Sequence, residues 1–94
     1  GVRSNVVCPG WVRTPMADDA LSDLAADHGG LEGAYAKATS FAPDRRPATS
    51  DEVAETIAWL LSKKASGING VTITVDGGAH VVDAESVVFL PPTL

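Results

Sequence analysis

The sequence predicts an α/β architecture in which two parallel strands form one edge of a larger sheet. Three observations carry this expectation. Runs rich in valine, isoleucine and threonine stand near both ends of the chain, at residues 2–8 and 71–75, and read as strands. Helical patterns lie between them, and a long crossover of that kind joins parallel strands. Parallel sheets are covered on both faces and hold several strands, yet nothing obvious stands beside these two. The pattern therefore predicts a fragment, or one piece of a two-chain assembly, rather than a complete domain.

Each element follows from its residues. The first strand ends at Pro9-Gly10, because proline cannot donate to a ladder and glycine permits a turn. Residues 11–16 read as loop. Residues 17–27 read as a helix from the spacing of Leu21, Leu24 and Ala25, with Asp18 and Asp19 near its positive end and Gly29-Gly30 stopping it. A weaker helical stretch covers residues 31–39, and proline-punctuated loop covers 41–48. The clearest helix is predicted over residues 50–64. Thr49 and Glu52 form a T-x-x-E capping box, and Lys63 and Lys64 complement the dipole at the far end. Its apolar residues, Val53, Ala54, Ile57, Ala58, Leu60 and Leu61, share an arc of roughly 160°. Trp59 falls outside that arc. Residues 67–70 read as a turn, and Asp76-Gly77-Gly78 closes the last strand. The tail, residues 79–94, is apolar and reads as strand or coil.

Composition removes several function classes. The chain has 94 residues, 7 Lys and Arg, 12 Asp and Glu, and a net charge of −5. That balance argues against nucleic acid and anionic lipid as partners, since both demand a basic face. The single cysteine, Cys8, excludes an internal disulfide and reads as a small apolar residue at a buried strand end. No apolar run approaches the ~20 residues needed to cross a bilayer. The expected location is the cytoplasm. His28 and His80 show no metal-ligand spacing, and no metal site is expected.

In open α/β sheets ligands bind beyond the carboxyl ends of the strands. The segment in that position is Pro9-Gly10-Trp11-Val12-Arg13-Thr14-Pro15-Met16. Gly10 lets a ligand approach the backbone, Pro9 offers a flat face, Val12 offers backbone groups if it is outside a ladder, and the Thr14 hydroxyl donates and accepts. These groups suit an amide or a phosphate. A plain strand-to-helix turn, with Thr14 capping the helix, fits the position equally well.

The stretch from Arg3 through Met16 resembles the late-strand segment of short-chain dehydrogenases/reductases, R-x-N-x-[VI]-x-P-G-x-[VI]-x-T-x-[ML]. Arg46 through Ala54 is similar to the family's R-x-x-x-P-E-E-V-A stretch, with Ser50 in place of proline. Ile68 through Gly78 resembles its closing T-G-x-x-x-x-V-D-G-G. Three blocks in the right order cover residues 1–78 and leave the tail, 79–94, outside the match. The resemblance implies the carboxyl-terminal part of a Rossmann-like, doubly wound parallel sheet. It implies NAD or NADP as cofactor, with Pro9 and Gly10 against the nicotinamide, Val12 bonding its carboxamide, and Thr14 bonding the carboxamide or pyrophosphate. Residues 16–48 would form a mobile substrate lid, with Met16, Leu21, Leu24, Tyr35 and Phe41 hinting at an apolar pocket for a small alcohol or carbonyl compound. Trp59, Val71, Ile73 and Val75 would belong to the contact of a homodimer or homotetramer.

The family's catalytic Tyr-x-x-x-Lys pair and its G-x-x-x-G-x-G phosphate loop are missing. Tyr35 is followed four residues later by Thr39, and Gly29-Gly30-x-x-Gly33 has the wrong spacing. The chain is expected to supply cofactor contacts, lid and assembly surface to an oxidoreductase whose amino-terminal part lies elsewhere, and to be inactive alone. A non-catalytic interaction or nucleotide-sensing module derived from the same family is the alternative.

Overall fold

The apolar run Val-Val-Cys-Pro near the head of the chain forms strand β1 (Val6–Pro9), and Thr-Ile-Thr-Val forms β2 (Thr72–Val75). In this computed structural model, which describes residues 1–89, the two pair in parallel, Val6 opposite Thr72 through Pro9 opposite Val75. Between them come α1 (Pro15–Asp27), α2 (Leu31–Ala38) and α3 (Ser50–Leu61). Single 3-10 turns follow at Lys63–Ala65, Ala79–Val81 and Ser86–Phe89.

Strand β1 starts later than residue 2, and side chains explain why. Arg3 donates through Nη2 to the Leu60 carbonyl (2.8 Å) and through Nη1 to the Ile68 carbonyl (3.1 Å). Asn5 is doubly used: its Nδ2 donates to the Ile68 carbonyl (3.1 Å) and its Oδ1 accepts from Val71 N (3.0 Å). Asn69 Oδ1 accepts from Ser4 N in return (2.9 Å). This side-chain clasp, with one backbone bond from Gly70 N to Ser4 O (2.8 Å), precedes the ladder. The ladder proper opens with Val6 N to Val71 O (2.9 Å) and closes with Gly10 N to Val75 O (3.1 Å).

Helix α1 begins two residues before the expected start. The Thr14 hydroxyl accepts from Ala17 N, and Pro15 at the first helical position costs no hydrogen bond there. Helices α1 and α2 form a hairpin whose buried core is Ala17, Leu21, Ala34 and Tyr35. The turn that joins the helices is so tight that a Cβ at Gly33 would sit 1.4 Å from the His28 carbonyl oxygen. Leu21 and Tyr35 are thus core residues and not lining of a substrate pocket. Their spacing faces them onto each other across the hairpin.

Helix α3 has the expected capping box, with Glu52 N donating to Thr49 Oγ1 and Thr49 N to Glu52 Oε1. It stops at Leu61, short of residue 64, because Ser62 turns extended and folds its hydroxyl onto the Trp59 carbonyl at 2.6 Å. Only Leu60 of the apolar arc is buried; Ile57 and Leu61 stay exposed. Val6 and Cys8 on β1 are exposed too, which corrects the expectation of a buried Cys8. The Cα radius of gyration, 15.8 Å, exceeds the roughly 12 Å of a compact chain of this length, and the principal extents of 51 × 32 × 15 Å describe a slab. The tail forms 3-10 turns and no strand up to Phe89; residues 90–94 lie outside the described residues.

The clasp gives a first test. Asn5→Ala deletes two hydrogen bonds at a half-buried site and should lower stability by about 1–2 kcal/mol in urea titration followed by circular dichroism. Ser22→Ala, on the exposed face of α1, serves as a control and should change it by less than about 0.5 kcal/mol.

Candidate functional site

The carboxyl ends of β1 and β2 meet the helical hairpin and the start of α3 at one place. Gly10 lies against the first residue after β2: a Cβ there would come within 2.9 Å of Asp76 Cβ. The missing side chain is therefore explained by strand-to-strand packing, independently of any ligand.

Val12 forms an isolated parallel bridge with Ala48. The two bonds of that bridge use its neighbours, Arg13 N to Ala48 O (3.0 Å) and Ala48 N to Trp11 O (2.9 Å). By strand alternation Val12's own N–H and C=O point away from Ala48. The N–H has no hydrogen-bond partner among the described residues, and the carbonyl accepts only from Thr14 Oγ1, at 3.3 Å. Pro9, Gly10, Val12 and Thr14, the four residues singled out from the sequence, line one cavity of about 400 Å³, with Met16 and Val53 at its sides.

The other expected pocket residues separate. Phe41 lines a larger cavity of about 520 Å³ together with Trp11, Ala42, Val82 and Val87. Leu24 lines neither cavity and is partly exposed on α1. The tail thus forms one wall of the larger cavity, a role that its sequence did not reveal. Trp59 is half exposed on α3, and Val71, Ile73 and Val75 lie on or beside β2, whose outer edge pairs with no strand among the described residues.

Two charged knots hold the frame. Arg46 grips Glu52 in a bidentate pair (2.7 and 2.9 Å), while Glu52 also accepts from Thr49 N. The Arg46 bonds, aided by the Thr49 amide, lower the Glu52 carboxyl to about 2. Asp76 accepts from the backbone N–H of Gly78 (3.1 Å) and His80 (2.9 Å) and lies 3.0 Å from His80 Nδ1. Burial pushes its carboxyl up, but these bonds outweigh it and hold it below the usual range. Asp76 is turn chemistry: it starts the Ala79–Val81 turn. Gly77 and Gly78 adopt positive φ, 63° and 90°, and pack directly on Asp44 and Pro43, so side chains there would be strained and crowded.

Tyr35 is no proton donor for chemistry. It is 1% exposed, its hydroxyl donates to Asp18 Oδ1 (2.7 Å), and burial together with Asp18 pushes the phenol above its ordinary range. General acids work with pKa values near the operating pH. Among the described residues no group of three or more His, Cys, Asp or Glu could hold a metal ion, and no helix is long and apolar enough to cross a membrane.

Comparison with known proteins places this geometry. The family model described as enoyl-(acyl carrier protein) reductase matches residues 1–80. Protein MoaE of Klebsiella aerogenes is 43% identical over 90 residues, 95% of this chain and 35% of that protein. A short chain dehydrogenase family protein from Francisella tularensis superposes with a TM-score of 0.75 at 32% identity, over 85% of this chain and 34% of that one. An actinorhodin polyketide ketoreductase variant determined with NADPH gives a TM-score of 0.70 at 34% identity, over 84% of this chain and 31% of that one. The chain spans about a third of the length of the curated relatives it matches.

The Arg46–Glu52 knot predicts a pH dependence. A carboxyl lowered from 4.5 to about 2 on folding contributes stability that is fully present above 4.5 and is lost as pH falls through about 2. The stability advantage of the parent over Glu52→Gln should be largest near neutrality, shrink below 4.5 and vanish near 2 in urea titrations across pH. A constant difference across that range contradicts the assignment.

Proposed function

The chain belongs to the short-chain dehydrogenase/reductase family of oxidoreductases and forms the carboxyl-terminal part of its Rossmann-like, doubly wound parallel sheet; within a whole enzyme of that family, we propose, it holds the nicotinamide end of NAD or NADP and walls the substrate pocket. One observation carries this reading. Pro9, Gly10, Val12 and Thr14 line a single cavity beyond the carboxyl end of β1, where Val12 turns its N–H and C=O away from Ala48.

The chemistry of those groups fits a carboxamide. A primary amide presents one acceptor and two donor hydrogens, the complement of a backbone N–H beside a backbone C=O. Thr14 refines the match. Its one hydroxyl hydrogen is committed to Val12 O and one lone pair to Ala17 N. A second lone pair stays available to accept from an amide NH2, whereas donation to a pyrophosphate would require breaking the Val12 bond. Pro9 offers an apolar face for a flat ring. A bound nicotinamide supplies the hydride donor or acceptor for oxidising an alcohol or reducing a carbonyl.

The remaining roles follow the same reading. Residues 16–48 are the lid, with Met16 beside the nicotinamide cavity and Phe41 in the adjoining one. Trp59, Val71, Ile73 and Val75 form an oligomer contact, a role suited to a half-exposed Trp and to a strand edge that pairs with no strand among the described residues. Within the tail, Ala79, Val82 and Val87 wall the larger cavity with Phe41. The proton donor and the phosphate cradle come from the amino-terminal part of the fold, since Tyr35 has Thr39, not lysine, four residues on and is sealed in the hairpin.

The reading is tested with a hybrid in which this chain replaces the matching 31% of the actinorhodin ketoreductase. The 94-residue chain alone should transfer no hydride from NADPH. The hybrid should bind NADPH and reduce a carbonyl substrate. Val12→Pro removes an N–H that bonds nothing internally, so the hybrid should keep its fold while NADPH binding weakens about fivefold, the equivalent of one hydrogen bond of ~1 kcal/mol. A folded hybrid that does not bind NADPH, or turnover by the chain alone, contradicts the proposal.

A further inference from the structure

We propose that Arg13 and Tyr35 are positioning residues that fasten the α1–α2 hairpin to the Val12–Thr14 segment, so that the pocket wall and the nicotinamide-facing backbone share one rigid geometry. The inference deepens the functional reading above and rests on it for its consequence in catalysis.

Arg13 is the residue after Val12, and its N–H is spent on the Ala48 carbonyl. Its backbone is therefore fixed with that of Val12. Its side chain leaves the loop and enters the hairpin. The guanidinium pairs with Glu32 in the first turn of α2 and stands 4.7 Å from the centroid of the Tyr35 ring. Tyr35, in turn, reaches α1 through its hydroxyl on Asp18.

Loop, α1 and α2 thus converge on one buried ring. A purely structural core position at the centre of two short helices is served by leucine or phenylalanine, which bring no polar atom to satisfy. Here a hydroxyl is buried and bonded to a carboxylate, with a cation over the ring. Asp18 lies in the first turn of α1, next to the loop, and Glu32 in the first turn of α2, just past the turn that joins the helices, so the loop is tied to both helices. Contacts to both helices restrain rotation of the hairpin about residues 13–15. An unfastened hairpin would instead swing independently of Val12.

Amide exchange by NMR on the 94-residue chain tests the fastening without any cofactor. Tyr35→Phe keeps the packing and removes the hydroxyl, and Arg13→Met keeps the stem and removes the charge. Both should speed exchange of the Arg13 amide about tenfold, the factor equivalent to one charge-assisted hydrogen bond, with helix content unchanged. Arg13→Lys, which keeps the ion pair, should restore part of the protection. Faster exchange confined to α1 and α2, or no change at Arg13 in either variant, overturns the proposal and leaves Tyr35 as packing alone. In the ketoreductase hybrid the same variants should raise the KM for NADPH several-fold with an unchanged melting temperature. If the parent hybrid fails to bind NADPH the functional reading falls, while the exchange result still decides the fastening.

Discussion

The parallel pairing of β1 with β2, pinned at both ends, is the constraint on which the other features depend. A two-stranded parallel ladder of four residues per strand is weak by itself. Here side chains complete it. Arg3 and Asn5 tie the start of β1 to the turn before β2, and Gly10 lets the two strand ends close to Asp76. With both ends fixed, the register is fixed, and every group at the carboxyl ends follows from it. Val12 is carried to Ala48, the loop at Pro43 and Asp44 is carried to Gly77 and Gly78, and the tail turns back over Asp76.

The same pair leaves surfaces that nothing in the described residues covers. The chain exposes 6486 Å², against about 5,100 Å² for a compact 9.7 kDa protein. Part of this excess is apolar and contiguous with the sheet: Val6 on β1, and Ile57 and Leu61 on α3. Helix α3 buries Leu60 of its apolar arc, half-buries Val53 and leaves Ile57 and Leu61 exposed. Slab-like proportions, bare strand edges and apolar faces agree with the match to one third of longer family members.

Much of the fold was legible because it rests on local signals. The 3.6-residue patterning, the Thr49–Glu52 box and the Pro9-Gly10 break placed three helices and two strands in the right order. Boundaries erred where side chains replaced backbone bonds: Asn5 and Arg3 hold the segment that looked like strand, Thr14 and Pro15 start α1 early, and Ser62 ends α3 early. The site was legible in its backbone and not in its walls. Pro9, Gly10, Val12 and Thr14 share a cavity because they lie close together in sequence at and just past the end of β1. Leu21 and Tyr35 face each other because of how α1 packs on α2, which periodicity alone does not reveal. The Arg13–Tyr35 contact and the tail's place in the larger cavity are long-range consequences with no local signature.

The most direct measurement of the account is the exchange rate of the Val7 amide. Val6 and Gly10 donate to β2, so by alternation the Val7 N–H faces the outer edge of β1. In the 94-residue chain it should exchange close to the rate of an unprotected amide. In the ketoreductase hybrid, where an adjoining strand is restored, it should slow by about a hundredfold or more. A Val7 amide already protected in the chain alone, or equally fast in both proteins, would mean that β1 needs no further neighbour.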